Sequence, residues 1–239
     1  MKVVILNSGM GTRMGSLTKE HPKCMTEISE TETILSAQLK NVVKAGIQDV
    51  VITTGYFNDV LVEYCASLNL PLNIEYVFNP LFDKTNYIYS IYCAKQTLKD
   101  QDIVLLHGDM VVDEKVFKAI ASSSHSSMAV STTLPLPEKD FKAVIRKDKI
   151  LAVGINFFET AVAEQPLYKL MRQDWNAWLD QIEVYVNRNE TSCYAENAFN
   201  DISENVAVNI YDVKDALCNE IDNYEDLCVI AKRYQDLIK

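Results

Sequence analysis

Apolar and polar positions in the first half of the chain alternate between the two main secondary-structure patterns. Residues 2–7 form a short apolar run typical of a buried strand. Apolar residues at helical spacing begin at Ile34 and end near Gly46, which suits the position just after a helix. Strand-like and helix-like segments then follow in turn, which predicts a mainly parallel sheet with helices on both faces.

The remaining elements of the first half are predicted by the same patterns, as strands over 49–54, 72–78 and 103–107 and helices over 58–68 and 87–98. The second half looks different, with a smaller and more antiparallel set of strands. Its predicted strands are 128–133, 143–146, 150–155 and 206–211, and its predicted helices are 166–186, 194–202 and 223–238.

The loop after the first predicted strand carries small residues followed by fixed positive charge. Gly9 and Gly11 lie in it, Arg13 follows, and Lys23 stands directly behind Pro22. Backbone N–H groups in such a loop form an anion-binding concavity at the end of a strand. The sequence therefore predicts a phosphate-bearing ligand at this edge of the sheet.

Other interpretations of this loop are open at this level. It is not a P-loop, because no Gly-Lys-Ser/Thr closes it. It approaches a dinucleotide-binding fingerprint, but Met14 stands where a third glycine or alanine would allow close helix packing. Glycines alone can also simply form a turn.

Composition narrows the classes of partner. The 239 residues carry a formal net charge of −10, which argues against nucleic acid as a ligand because phosphate-backbone binding needs a basic surface. No membrane-length apolar run and no signal peptide are evident, so we expect a cytoplasmic protein without a membrane partner. The six cysteines lack paired spacing and are expected to be buried, reduced thiols.

Two blocks together are far more specific than the glycines alone. Ser8-Gly9-x-Gly11-Thr12-Arg13-Met14, followed by Pro22-Lys23-Cys24-Met25, closely resembles the signature of the sugar-nucleotidyltransferase superfamily. The resemblance implies a Rossmann-like, three-layer α/β/α fold with a mainly parallel mixed sheet. It also implies transfer of a nucleotidyl group from an NTP to a phosphorylated acceptor, with release of pyrophosphate.

No linker divides the chain, so a single nucleotidyltransferase domain over 1–239 is expected. Within it we expect a nucleotide-binding part over 1–134 and a small acceptor-binding elaboration over 135–215. Residues 216–239 would supply a second metal-binding aspartate and the C-terminal helix. A homodimer is possible.

The resemblance also implies a magnesium site. Asp109 follows a predicted strand and Gly108, and Asp222 precedes the last helix, at the places where members of the superfamily hold Mg²⁺. Two carboxylates with phosphate oxygens and waters suit that ion. By themselves the two aspartates could equally form a turn or cap a helix. Arg13, Lys23 and Asp109 are the implied catalytic set, with Lys23 at the α-phosphoryl group or the acceptor phosphate and Arg13 at the pyrophosphate.

A third block points to the base. Asn79-Pro80, with Asn86-x-x-Tyr89-Ser90, resembles bacterial cytidylyltransferases that act on phosphocholine and related compounds, which implies CTP as the nucleotide. Position 7 is asparagine in this chain, whereas many superfamily members have alanine there. The nucleotide-binding residues implied by these blocks are Asn7, Ser8, Gly9, Met10, Gly11, Thr12, Gly55, Tyr56, Asn86 and Ser90.

The acceptor is predicted least specifically. Tyr194, Glu196 and Trp178 are the candidate contacts, because aromatic rings beside carboxylates suit an ammonium group. The same aromatic spacing also suits a helix packed on the core. The expected acceptor is a small phosphorylated amine such as phosphocholine, or 2-aminoethylphosphonate, or a phosphorylated amide or polyol. A uridylyl- or thymidylyltransferase for a sugar 1-phosphate, a non-catalytic nucleotide sensor and a dinucleotide oxidoreductase are the alternatives.

Overall fold

A computed structural model describes all residues, 1–239. The strands, in chain order, are β1 (Lys2–Asn7), β2 (Asp49–Thr54), β3 (Asn73–Phe78), β4 (Ile103–His107), β5 (Met110–Val112), β6 (Ser127–Ser131), β7 (Lys142–Arg146), β8 (Lys149–Gly154), β9 (Ala161–Leu170), β10 (Asn209–Asp212) and β11 (Cys218–Glu220). The α-helices are α1 (Ile34–Lys44), α2 (Asn58–Ser67), α3 (Tyr87–Cys93), α4 (Lys95–Leu98), α5 (Glu114–Ala121), α6 (Arg172–Asn187), α7 (Ala195–Ile202) and α8 (Tyr224–Leu237).

Nine strands form one continuous sheet in the order β3-β2-β1-β4-β9-β6-β10-β8-β7, and β7 also pairs with β9. Strands β3, β2, β1 and β4 pair in parallel, whereas β9 runs antiparallel to both β4 and β6. The predicted α/β fold with a mixed sheet is confirmed, as is the more antiparallel second half.

Helices cover both faces of this sheet because each presents an apolar stripe to it. On one face α1, α2 and α5 pack through residues such as Leu39, Leu61 and Phe117. On the other face α3, α6 and α7 pack through residues such as Ile88 and Trp175. None of the helices is both long enough and apolar enough to cross a membrane.

The prediction of a helix over 166–186 is wrong over its first six residues. Residues 161–170 form β9, a buried strand between β4 and β6, and the helix begins only at Arg172. Strand pairing on both sides buries polar residues such as Gln165 and Lys169, so the alternation of apolar and polar residues that marks a half-buried strand is absent there. Besides β9, the strands β5 and β11 and the helix α5 were not predicted from the sequence.

The short ribbon formed by β5 and β11 determines the position of the site. Cys218, Asn219 and Glu220 pair antiparallel with residues 110–112, and the N–H of Ile221 donates to the carbonyl of Asp109 at 2.9 Å. This pairing brings the segment before α8 beside the end of β4.

Candidate active site

A cavity of about 460 Å³ opens at the carboxyl ends of β1 and β4. Such an edge is where ligands of open α/β sheets bind. Most of the residues predicted from the sequence line it: 7–9, 11–13, Lys23, Asn86, Ser90, Asp109, Tyr194 and Asp222. The structure thus brings together residues from six separate parts of the chain.

The loop after β1 turns sharply because of its glycines. Gly11 has φ of 62°, and a Cβ placed there would lie 3.1 Å from the Cβ of Lys23. Only glycine adopts this backbone without strain and also allows such a close approach. Gly11 therefore lets the loop pack directly against the segment that carries Lys23.

Lys23 is the centre of an ion-pair cluster. Its Nζ donates to Asp109 Oδ2 and to Asp222 Oδ1, both at 2.7 Å. Arg13 Nη1 donates to Asp222 Oδ2, also at 2.7 Å, although the Arg13 side chain is mostly exposed. Both cations and both carboxylates predicted from the sequence therefore meet at one point.

Mutual attraction stabilises the charged forms in this cluster. Burial alone would lower the pKa of Lys23, but Asp109 and Asp222 outweigh burial and raise that pKa above its ordinary value. Burial would likewise raise the pKa of Asp109, but Lys23 and His107 outweigh it and lower that pKa. The side chains of Lys23 and Asp109 consequently stay charged near neutral pH.

His107 and Glu220 form a second, largely buried pair close to Asp109. His107 Nδ1 lies 3.0 Å from Glu220 Oε1, and both side chains are largely buried. Burial would lower the pKa of His107, but Glu220 outweighs it and raises that pKa to about 9. Burial and the charge of Asp109 raise the pKa of Glu220 to about 7.

Hydrogen bonds from α1 stabilise the turn that carries Asp109. Gln38 on α1 donates from Nε2 to the carbonyls of His107 and Met110, each at 2.9 Å. Gly108 packs so tightly that an added Cβ would lie 1.7 Å from Asn7 Oδ1. The same Cβ would lie 2.8 Å from the backbone carbonyl oxygen of Leu6, so the two neighbours together favour glycine at position 108.

The donor set of this edge fits a divalent cation. Asp109 and Asp222 converge on a single ammonium, and Asp109 Oδ1 is buried without a hydrogen-bond partner. One ligand atom from each of His107, Asp109 and Glu220 also lies within 4.8 Å of the others. Carboxylate oxygens that are close together and partly unpaired are suited to a hard cation.

A hydrogen-bonded group of side chains forms the other wall of the cavity. Asn79 Nδ2 donates to Ser90 Oγ at 2.9 Å, and Ser8 Oγ donates to Ser90 Oγ at 2.8 Å. Ser8 Oγ also lies 2.9 Å from Thr53 Oγ1. Asn86 Oδ1 caps α3 by accepting from the N–H of Tyr87 at 2.7 Å. These bonds fix the segment between β3 and α3 against the loop after β1.

Three predicted nucleotide-binding residues do not line the main cavity. Gly55 and Tyr56 line a second, more open groove that adjoins it, and Phe82 contributes to both. Gly55 nevertheless touches the loop after β1, because an added Cβ would lie 2.3 Å from the carbonyl oxygen of Ser8. Met10 lies outside the cavity and is 44% exposed.

The candidate acceptor residues separate into three positions. Tyr194 lines the cavity, where its ring packs against Phe141 and Tyr87. Glu196 is buried behind that wall and does not line the cavity. The placement of Trp178 at the acceptor was wrong: its ring is 1% exposed and packs in the core, with Nε1 donating to the carbonyl of Ala195 at 2.9 Å.

Several cavity residues were not predicted from the sequence. His107 and Glu220 were passed over because neither carries a recognisable spacing, although each lies two residues before a predicted aspartate. Tyr87 and Phe141 were also missed. Tyr87 directly follows the predicted residue Asn86 and lies in the first turn of α3. This position was the feature of the sequence that could have identified Tyr87 as a cavity residue.

Residues 2–143, more than half of the chain, match the family model described as nucleotidyl transferase. The chain belongs to the nucleotidyl transferase family. This match covers the loop after β1, Lys23, the segment between β3 and α3, and Asp109. It does not extend to Asp222.

Similar proteins agree with this assignment. The chain is 36% identical over 117 residues to a CTP:phosphoglutamine cytidylyltransferase of Campylobacter jejuni, which covers 46% of the chain and 44% of that protein. It is 32% identical over 136 residues to a CMP-5'-(3-aminopropyl)phosphonate synthase of Streptomyces rubellomurinus, which covers 57% of the chain and 21% of that protein. The matches therefore span less than half of the length of these relatives.

The fold matches a solved structure over its whole length. CTP:phosphocholine cytidylyltransferase from Streptococcus pneumoniae superposes with a TM-score of 0.79, covering 100% of this chain and 99% of that one at 18% identity. At this identity the likeness shows the fold. The cytoplasmic location and the homodimer stay predictions.

Proposed function

We propose that this protein transfers a cytidylyl group from CTP to a small phosphorylated acceptor and releases pyrophosphate. The observation that carries the proposal is the convergence of Lys23, Asp109 and Asp222 beside a glycine-rich loop at the end of β1. Fixed cations, carboxylates and free backbone N–H groups at one edge suit a triphosphate with a divalent ion.

The charges of the two substrates determine how the proposed reaction proceeds. An oxygen of the acceptor phosphate attacks the α-phosphorus of CTP, the bond to the β-phosphate breaks, and pyrophosphate leaves. The attacking oxygen is already an anion near pH 7, so no side chain has to remove a proton. Positioning and neutralisation of charge provide the rate enhancement.

Each charged side chain has a part in that scheme. Asp109 and Asp222 would hold Mg²⁺, which supplies neutralisation of the phosphate charge when it is bound. Lys23 contacts the α-phosphoryl group or the acceptor phosphate, and Arg13 contacts the pyrophosphate. Lys23 and Arg13 are paired to the aspartates in this structure, so both exchange partners when the triphosphate arrives.

Two lines of support favour CTP. The two relatives reported above are named for CTP or CMP chemistry. The wall formed by Asn79, Ser90 and Ser8 is rigidly bonded and lies beside Asn86, which presents an amide to the cavity. In this proposal Asn86, Ser90 and the backbone near Gly55 bind the pyrimidine edge.

A small phosphorylated amine is the proposed acceptor, for example phosphocholine or 2-aminoethylphosphonate. Tyr87, Phe141 and Tyr194 form an aromatic wall of the cavity, and Glu196 lies behind Tyr87. Aromatic faces with a carboxylate behind them attract an ammonium group. Tyr194 is the proposed contact there.

The test is pyrophosphate release over a grid of four NTPs and a panel of phosphorylated acceptors, with and without Mg²⁺. Release that requires CTP, an amine phosphate and Mg²⁺ is expected. Release with UTP or dTTP and a sugar 1-phosphate would replace the proposed substrates. Nucleotide binding without release under any condition would contradict the proposed reaction and favour a nucleotide sensor.

A further inference from the structure

Both carboxylate oxygens of Glu196 accept hydrogen bonds from tyrosine hydroxyls. Its Oε2 accepts a short hydrogen bond from the hydroxyl of Tyr87, and its Oε1 accepts from the hydroxyl of Tyr168 at 2.9 Å. Glu196 is 1% exposed and lies in the first turn of α7. A carboxylate with both oxygens engaged and no exposed surface has no free group to offer a substrate.

The two tyrosines have different surroundings. Tyr168 on β9 is fully buried in the core, with its ring against Trp178. Tyr87 lies at the start of α3, lines the cavity, and packs its ring against His107 and Tyr194 at 4.7 and 5.9 Å between centroids. Glu196 therefore connects a rigid core residue to a residue of the cavity wall.

We propose that Glu196 is a positioning residue: its carboxylate fixes the ring of Tyr87, and Tyr87 contacts the acceptor beside Tyr194. This proposal rests on the proposed function. It replaces the prediction that Glu196 itself touches the acceptor, because the hydroxyl of Tyr87 stands between the carboxylate and the cavity.

Nothing else holds the Tyr87 hydroxyl in place. The ring of Tyr87 packs against the rings of His107 and Tyr194. Such packing constrains the orientation of a ring less than a hydrogen bond to a buried carboxylate does. Burial, followed by the charge of Glu196, raises the pKa of Tyr87 well above its ordinary value, so the phenol remains a donor over the whole working range. The Tyr87 hydroxyl therefore keeps, near neutral pH, the proton that it donates to Glu196.

The experiment compares Glu196→Leu, Glu196→Gln and Tyr87→Phe with the native protein, using CTP and the acceptor that reacts fastest in the grid above. Glu196→Leu and Tyr87→Phe are expected to raise the KM for the acceptor about tenfold, the value of one hydrogen bond to a charged group, with the KM for CTP unchanged. Glu196→Gln keeps a polar partner for Tyr87 and is expected to restore most of the affinity. Glu190→Gln, at an exposed site before α7, is the matched control.

A structural role alone gives a different result. If Glu196→Leu lowers the melting temperature and kcat but leaves the KM for the acceptor unchanged, or if Tyr87→Phe behaves as the native protein does, the proposal is overturned. An equal rise in the KM for both substrates also overturns it.

A second readout is independent of turnover. In protein with ¹³C-labelled tyrosine, the Tyr87 ring is expected to flip slowly on the NMR timescale in the native protein and quickly in Glu196→Leu. Equally slow flipping in both would contradict the positioning role. If no substrate pair releases pyrophosphate, the proposed function fails, and ring flipping still decides whether Glu196 fixes Tyr87.

Discussion

The ammonium of Lys23 donates to the carboxylate of Asp109 across 2.7 Å, although the two residues are 86 positions apart in the chain. Lys23 follows the glycine-rich loop, and Asp109 lies in the turn between β4 and β5. The same ammonium also bonds to Asp222, from the segment before α8. In this structure the lysine occupies the point between two carboxylates that a divalent cation would share.

Replacing Lys23 by methionine separates its two roles. The variant loses the charge that would contact the triphosphate, so kcat is expected to fall at least about 100-fold. It also removes the ammonium that competes for the two aspartates, so the nucleotide-free variant is expected to bind Mn²⁺ more tightly than the native protein does. Electron paramagnetic resonance of free Mn²⁺ measures the second effect. Weaker Mn²⁺ binding would show that Lys23 does not compete for that site.

Asp109→Asn and Asp222→Asn test the carboxylates directly. Each variant removes one anionic ligand of the proposed ion, so turnover is expected to fall about 1,000-fold and the Mg²⁺ concentration for half-maximal rate to rise. Steady-state rates over a Mg²⁺ series are the measurement. Asp148→Asn, in the exposed turn between β7 and β8, is the control and keeps the native rate. Native Mg²⁺ dependence in either site variant refutes its assignment as a ligand.

Gly108→Ala tests the packing under Asp109. The new Cβ would lie 1.7 Å from Asn7 Oδ1 and 2.8 Å from the carbonyl oxygen of Leu6, so about 1–3 kcal/mol of stability should be lost. Combining it with Asn7→Ala removes the first clash only and should restore part of that loss. Urea unfolding of the single and double variants measures both effects.

The matched control for this pair is Gly9→Ala, where an added Cβ meets nothing within 4 Å. It should unfold at the same urea concentration as the native protein. Strict additivity between Gly108→Ala and Asn7→Ala would mean that the two side chains do not compete for the same space.

Glu164 makes stability depend on pH. Both of its oxygens are buried without a partner, and burial, followed by the charge of Glu196, raises its pKa well above 4.5. The groups that face it are Tyr168, Glu196, Glu220 and His107. Above pH 4.5 the unfolded chain loses this proton while the native state keeps it, so stability falls as pH rises, by up to about 1.4 kcal/mol per unit.

Glu164→Gln mimics the protonated carboxyl and removes this dependence. Its free energy of unfolding should match the native value near pH 4.5 and exceed it increasingly as the pH rises above 4.5. Urea unfolding at each pH gives the difference. Glu159→Gln, at an exposed position, should track the native protein throughout. A difference that stays constant with pH would mean that Glu164 is ionised in the native state.

The sequence predicted the parts of the site that lie in continuous blocks. Ser8, Gly11 and Lys23 are fixed by a short loop and its neighbours, so their spacing carries the information. The meeting of Lys23 with Asp222 could be expected only through the family resemblance, because it depends on the pairing of β11 with β5. That pairing has no local pattern, and neither strand was predicted.

On the acceptor side, two of the residues predicted from the sequence do not reach the cavity. Trp178 and Glu196 have the residue types of a binding site, but both are buried by contacts that come from β9, α3 and α7. A strand over 161–170 was hidden because its polar residues are buried by the pairing on both sides. Such burial follows from the order of strands in the sheet, which no local spacing reveals.

The most direct test of the central claim is ³¹P NMR of the native protein with CTP, Mg²⁺ and the acceptor that reacts in the grid. The account predicts a pair of coupled diphosphate signals from the CMP-linked product, together with an equal amount of pyrophosphate. CDP with a diphosphate of the acceptor would place the acceptor's attack at the γ-phosphorus, and CDP with orthophosphate would show hydrolysis by water there; either result would contradict the account.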